Sequence, residues 1–141
     1  MKAIVRKVSS SFEKALAKYF GSGPTSLNES VKQHEDYVNK LVEFGVSVRE
    51  IDSHPDYPDC CFVEDHAIVA GDSALLTNAG HDSRLGERKE VEEALNVDLN
   101  LEYMSEAARM DGGDVLKFGS TFLVGHSKRT NRKGIQDLEQ F

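Results

Sequence analysis

The stretch FVEDHAIVAGDSALLT, residues 62–77, decides how this chain folds. Its second half sets short apolar runs on either side of Gly71 and Asp72, the mark of a β-hairpin closed by a tight turn. Its first half places Glu64 and Asp65 among Phe62, Val63, Ile68 and Val69, with Asp59 just upstream. Residues 62–70 read as one strand and 74–77 as its partner. Adjacent residues of a regular strand point to opposite faces. Glu64 and Asp65 therefore reach one ligand only near a strand end, at a bulge or at a strong twist. Otherwise they are a solvated approach to the strand.

Working outward, the same order of elements returns. A helix is expected over about 83–96, with Val91, Ala94 and Leu95 facing inward, and then the strand LNLEYM (99–104). DGGDVLKFGSTFLVGHS (111–127) is a second hairpin, turned at Gly119 and Ser120, and NRKGIQDLEQF (131–141) begins another helix. Recurrence at about fifty residues points to a radial array of repeats or a duplicated unit, in which each unit buries its apolar face against its neighbours. Upstream lies a strand, AIVRKV (3–8), followed by a capping-box pair, Ser10 and Glu13, before a helix that stops at Gly21. GSGPTS (21–26) is a loop, either a plain connector or a cover over a site. A second capping box, Ser26 and Glu29, precedes Val31, His34, Val38, Leu41 and Val42 at helical spacing, ended by Gly45. His34 on that stripe reads as a half-buried histidine rather than a ligand. Residues 46–51 alternate as a strand, and the whole pattern is α/β.

Composition narrows the function. A chain of 141 residues has room for one domain. With 17 basic against 24 acidic residues, its net charge of −7 argues against a nucleic-acid or anionic-membrane partner. No run of 18 apolar residues suggests a membrane span, and MKAIVRKVSSSFEKAL (1–16) does not read as a secretory signal. Cys60 and Cys61 are neighbours, a geometry that seldom bridges, so a reduced, cytoplasmic setting is expected. The sequence has no His–Cys set at metal-ligand spacing, no phosphate-cradling glycine loop and no nucleophile elbow. No metal and no cofactor are expected.

Three further groups of residues can carry chemistry. In DGGD (111–114) two glycines permit positive φ or close backbone approach; the flanking Asp111 and Asp114 are presented from a bend, or else serve local turn hydrogen bonds. HSKRTNRKG (126–134) gathers Lys128, Arg129, Arg132 and Lys133 between a strand and a helix. It is a solvated basic loop, or a place where Arg129 or Lys128 holds a carboxylate. Arg84 and Arg88 in HDSRLGERKE (81–90) are a smaller case of the same kind. Acids and arginines at strand ends suit a zwitterionic amino acid with a cationic head: carboxylates for the head, arginine for the α-carboxylate.

PDCCFVED (58–65), DGGDVL (111–116) and SKRTN (127–131), in this order and at these separations, resemble the dimethylarginine dimethylaminohydrolases. The resemblance covers nearly the whole chain and is strongest over 58–134. It implies a pentein fold, a five-bladed ring of ββαβ units (an α/β-propeller), of which 141 residues supply about two and a half blades as a single incomplete domain. It also implies hydrolysis of methylated arginine to citrulline and a methylamine. A cysteine thiolate attacks the guanidinium carbon, a histidine protonates the leaving amine, and the thiouronium intermediate is then hydrolysed. On the same resemblance Asp59, Glu64 and Asp65 match the guanidinium- and substrate-binding acids, and Phe62 the aromatic beside the head group. Asp111 matches the acid that partners the catalytic histidine. Arg129 matches an arginine for the substrate carboxylate and Arg84 a second, with Arg88 as its rival. GSGPTS (21–26) lies where the family has a lid.

The chain also departs from the family. The catalytic histidine and cysteine of the resemblance fall beyond Phe141; His81, His126, Cys60 and Cys61 do not match their contexts. The expectation is an N-terminal portion, inactive alone, that binds a small methylated-arginine substrate. The competing readings are a non-catalytic binding or regulatory module, and an arginine deiminase or amidinotransferase relative. Open blade edges suggest self-association, and the last helix is expected to expose apolar surface near Ile135 and Leu138.

Overall fold

The computed structural model describes residues 1–16 and 25–141. The mixed α/β class read from the sequence is what it has. The chain divides into two compact units, 1–63 and 64–141, and each is described by itself.

In the first unit β1 (Lys2–Arg6) and β2 (Ser47–Ile51) pair in parallel, with Lys2 opposite Ser47 and Arg6 opposite Ile51. A parallel pair needs a long crossover, and α1 (Leu27–Glu43) lies within it. The Ser26 side chain accepts from the Glu29 N–H, as the capping box predicts. At the other end Gly45 takes φ 77°, and the Val46 N–H reaches back to the Leu41 carbonyl at 3.0 Å. That is the Schellman closure a left-handed glycine allows. The α1 stripe, His34 included, is half-buried, while Val42 is exposed. The helix expected after Ser10 is instead a single 3-10 turn, Phe12–Lys14, with no capping bond from its Ser11 N-cap side chain; its expected stop at Gly21 lies outside the described residues. The 21–26 loop falls there too, apart from Thr25 and Ser26.

In the second unit β3 (Ala67–Ala70) and β4 (Ser73–Leu76) form the expected hairpin, Ala67 opposite Leu76 and Ala70 opposite Ser73. β4 then pairs in parallel with β5 (Asn100–Tyr103). The crossover between them carries a 3-10 segment, Asp82–Glu87, and α2 (Arg88–Leu95). Hairpin, helix and parallel strand thus form one three-stranded sheet. The second hairpin, β6 (Val115–Phe118) and β7 (Thr121–Val124), is followed by α3 (Arg132–Gln140). Gly71 and Gly119 open the two hairpin turns with φ 62° and 60°, as two-residue turns of this kind require.

Two expectations change. The strand expected over 62–70 begins only at Ala67, because Val63–His66 is a 3-10 turn. The Thr77 hydroxyl donates to the Asp65 carbonyl at 2.6 Å, and the Thr77 N–H donates to the His66 carbonyl at 3.1 Å. Glu64 and Asp65 are therefore neighbours on a turn, and the opposite-face rule for strands does not apply to them. The apolar surface expected on the last helix is also absent. Leu138 is buried in one cluster with Ile68, Leu75, Met104, Ala108 and Met110, and Ile135 packs against it. Gly134 makes this possible, since a β-carbon there would collide with the Arg109 carbonyl. The hairpin before it does expose apolar side chains, at Leu116, Phe118 and Leu123.

Candidate functional site

The DGGD motif meets Glu64 and Asp65, the last two residues of FVED, within the second unit, and the two glycines are the reason. Gly112–Asp114 is a 3-10 turn. A β-carbon on Gly112 would overlap the Glu64 carbonyl oxygen, so only glycine lets the turns come so close. Neither glycine has a positive φ; of the two uses open to them, close approach is the one realised. The Gly113 N–H then donates to Asp65 Oδ1 at 2.8 Å.

Asp65 is one end of a buried polar cluster. Arg84 Nη1 donates to Asp65 Oδ2. Arg84 Nε and Nη2 both donate to Glu87 Oε2, at 3.0 and 2.9 Å, and His66 Nε2 lies 2.9 Å from the same oxygen. Asp65, His66, Arg84 and Glu87 are all buried, Arg84 to 2% exposure. Burial alone would lower the Arg84 guanidinium, but its bonds to Glu87 and Asp65 outweigh this and hold it above its ordinary value. Burial likewise pulls the Glu87 carboxyl up, and the bonds from His66 and Arg84 more than reverse it. Glu64 differs. Its residue surface is open, yet desolvation leaves its carboxyl above the ordinary value.

Asp111 anchors a second acid–arginine pair. Its Oδ1 accepts from the Gly80 N–H at 2.7 Å and its Oδ2 from Arg129 Nη1 at 3.2 Å. The carboxylate is buried, while nearly half of the Arg129 side chain is exposed. Gly80 must be glycine here, because a β-carbon would collide with the Arg129 backbone. Thr130, fully buried, accepts from the Asp111 N–H at 3.3 Å and donates to Asp114 Oδ2 at 2.6 Å. Ser127 donates to the same Asp114 oxygen at 2.7 Å and accepts from the Arg129 N–H at 2.9 Å. Asp114 thus holds the SKRT loop on which Arg129 is carried.

Asp59 and Phe62 belong to the first unit. Both Asp59 carboxylate oxygens accept from the Leu16 N–H, at 3.0 and 3.2 Å. The Phe62 ring lies 6.2 Å from that of Phe12, tilted by 44°, and remains partly exposed. Arg88 Nη1 donates to the Thr77 carbonyl and to Asn78 Oδ1, at 3.1 and 2.9 Å. Neither Cys60 nor Cys61 is in a disulfide.

Residues 7–140 match the family model of the eukaryotic N,N dimethylarginine dimethylhydrolases. The chain belongs to the dimethylarginine dimethylaminohydrolase family, within the pentein superfamily. It is 36% identical over 138 residues to the N(G),N(G)-dimethylarginine dimethylaminohydrolase of Streptomyces coelicolor, covering 97% of this chain and 54% of that one. The Pseudomonas aeruginosa enzyme of the same name is 27% identical over 118 residues, covering 82% of this chain and 46% of the relative. A solved structure of that Pseudomonas enzyme, a cysteine-to-serine mutant complexed with citrulline, superposes with a TM-score of 0.92 at 26% identity, over 97% of this chain and 54% of that one. The chain spans about half the length of the curated relatives it matches.

The acid–arginine pairing in this family member was half legible beforehand. The sequence named Asp65, Arg84, Asp111 and Arg129, but not that they pair among themselves. It missed Glu87, His66, Gly80 and Thr130. Glu87, three residues after Arg84, carried a helical-spacing signal; Gly80 and Thr130 carried none. Among the described residues no helix is long and apolar enough to cross a membrane, and no group of three His, Cys, Asp or Glu side chains could hold a metal ion.

Proposed function

We propose that this chain is the substrate-recognition portion of a dimethylargininase, which converts Nω-methylated arginines to citrulline and methylamines. Glu64 and Asp65 face the methylated guanidinium, Arg129 takes the α-carboxylate, and Asp111 orients a histidine supplied by sequence beyond these residues. Asp59 and Phe62 keep the substrate-contact roles implied by the resemblance. The observation that carries this reading is the closure of the DGGD turn on the FVED turn. It gives Asp65 a backbone donor on one oxygen and an arginine on the other, a carboxylate held in place before any ligand arrives. Arg84, engaged by Asp65 and Glu87, is read as the second arginine for the carboxylate, with Arg88 as its rival. The whole of 1–141 is read as one incomplete domain of about two and a half ββαβ blades, in a reduced cytoplasmic setting.

Without a positioned cysteine nucleophile no covalent intermediate forms. Binding groups alone hold the ground state and supply little differential stabilisation of the transition state. The purified chain is therefore expected to bind dimethylarginine in a calorimetric titration and to release no citrulline. Asp65→Asn abolishes binding. Turnover that disappears in Cys60→Ser or Cys61→Ser would overturn the reading, as would failure of the wild-type chain to bind.

A second reading, a module that pairs with another polypeptide, is favoured by the exposed Leu116, Phe118 and Leu123. Gel filtration separates it: a stable dimer supports it and a monomer does not.

A further inference from the structure

The second acid of DGGD, Asp114, stands on a fixed base. Its N–H donates to the Asp111 carbonyl at 2.9 Å, and its carbonyl accepts from the Gly125 N–H at 2.8 Å. Its side chain reaches the loop 127–130, where Oδ2 accepts from the Ser127 hydroxyl at 2.7 Å and from the Thr130 hydroxyl at 2.6 Å. A hydroxyl has one proton to give. Ser127 Oγ accepts from the N–H groups of Arg129 and Thr130, at 2.9 and 3.1 Å, so its proton goes to Asp114. Thr130 Oγ1 accepts from the Asp111 N–H, and its proton goes to the same oxygen. The Ser127 N–H closes the loop on the Thr130 carbonyl at 3.1 Å. We propose that Asp114 is a positioning residue for recognition of the substrate α-carboxylate, acting through the Ser127 and Thr130 hydroxyls on the main chain that carries Arg129. The inference rests on the reading that Arg129 takes that carboxylate.

The two acids of DGGD thereby divide the work on one arginine. Asp111 meets the Arg129 head group, through Nη1 at 3.2 Å, and Asp114 fixes the peptide from which the side chain projects. An arginine with nearly half its side chain in solvent has many rotamers, and ordering it on binding costs conformational entropy. Anchoring its main chain beforehand removes part of that cost. An ionised carboxylate suits the task, because charge-assisted hydrogen bonds are shorter and stronger than neutral ones. Without Asp114 the Ser127 hydroxyl turns away, the Arg129 N–H loses a fixed acceptor, and the guanidinium is presented from a looser loop. The far end of the substrate, which Glu64 and Asp65 face in the proposed function, is untouched by this change. The loss therefore follows the α-carboxylate alone.

The test uses the 141-residue chain and two probes, Nω-methylarginine and N-methylagmatine, which differ by the α-carboxylate. Calorimetry gives both affinities, and nuclear magnetic resonance follows the motion of the Arg129 amide and side-chain Nε–H without ligand. In Asp114→Ala and in Ser127→Ala both Arg129 groups are expected to become more mobile. Affinity for Nω-methylarginine should fall on the order of tenfold, as for one lost charge-assisted hydrogen bond, and affinity for N-methylagmatine should stay as in wild type. Asp114→Asn, whose Oδ1 still accepts from both hydroxyls, is expected to restore most of the loss. A loss shared equally by the two probes overturns the inference, because Asp114 would then be supporting the fold at large. Unchanged affinities overturn it as well. If Asp114→Ala unfolds, Ser127→Ala, at an exposed position, decides by the same comparison of probes. If the wild-type chain binds neither probe, the functional reading is what fails. The positioning role is then decided by Arg129 itself: an Nε–H no more mobile in the variants than in wild type overturns it.

Discussion

Replacing Gly112 by alanine tests the junction on which the site is built. The substitution adds one methyl group, and Gly112 has no positive φ, so the backbone conformation itself suits alanine. What the methyl meets is the Glu64 carbonyl oxygen. Backbone on a short 3-10 turn cannot swing aside as a flexible side chain does, so the FVED turn must back away. Overpacking of this kind costs about 1–3 kcal/mol. The displacement also stretches the 2.8 Å bond from the Gly113 N–H to Asp65, a hydrogen bond to a charged group worth about 1.5–3 kcal/mol. Partial relaxation keeps the two from adding in full, so the expected loss is about 3 kcal/mol. Divided by a urea slope of about 1.5 kcal/mol per molar, it lowers the unfolding midpoint by about 2 M. Gly119→Ala is the control. That residue has φ 60° and nothing within 4 Å of the added carbon, so only the left-handed backbone costs energy, about 1 kcal/mol. Circular dichroism in urea reads both midpoints. A Gly112→Ala midpoint equal to or above that of Gly119→Ala would refute the close-approach argument.

Two further outcomes follow from burial and charge. Leu138→Ala removes a core side chain packed near Met104 and Met110, and is expected to cost about 3 kcal/mol. Leu116→Ala, on an exposed strand, should stay within about 0.5 kcal/mol of wild type; equal losses in chemical denaturation would contradict the placement of α3. The Glu64 carboxyl is raised from 4.5 by desolvation, so folding disfavours its charged form. That penalty is fully present above the folded value and vanishes as pH falls below the unfolded value near 4.5. Glu64→Gln should therefore melt higher than wild type at pH 7 and equal to it near pH 4, and a lower melting point at pH 7 would count against the assignment.

Most of the second unit was legible because its signals are local. Gly71 and Gly119 mark the two hairpins, and the α2 residues Val91 and Leu95 repeat at helical spacing and are buried as expected. The 3-10 turn at Val63–His66 was not legible. Its apolar and acidic residues read as the start of a strand, and what bends them is a tertiary bond from Thr77 to the Asp65 carbonyl. Leu138 was misjudged for a similar reason. Its burial depends on Gly134 letting α3 approach Arg109, a contact over 25 residues of sequence that no periodic pattern encodes.

The same distinction explains the candidate site. Motif and resemblance named acids and arginines for substrate or, at Asp111, for a histidine, without their partners within the fold, because a sequence lists charges and not what they touch. A buried carboxylate cannot wait alone, since an unpaired charge of low solvent access carries a heavy desolvation cost. Asp65 and Asp111 therefore each take a backbone N–H and an arginine, and what separates the two pairs is where the cation stands. Arg84 is buried and shared with a second acid, whereas Arg129 keeps nearly half its side chain in solvent and is bound to Asp111 through Nη1 at 3.2 Å. Which acid engages which arginine is not legible in the sequence, because only the fold brings Asp65 to Arg84 and Asp111 to Arg129.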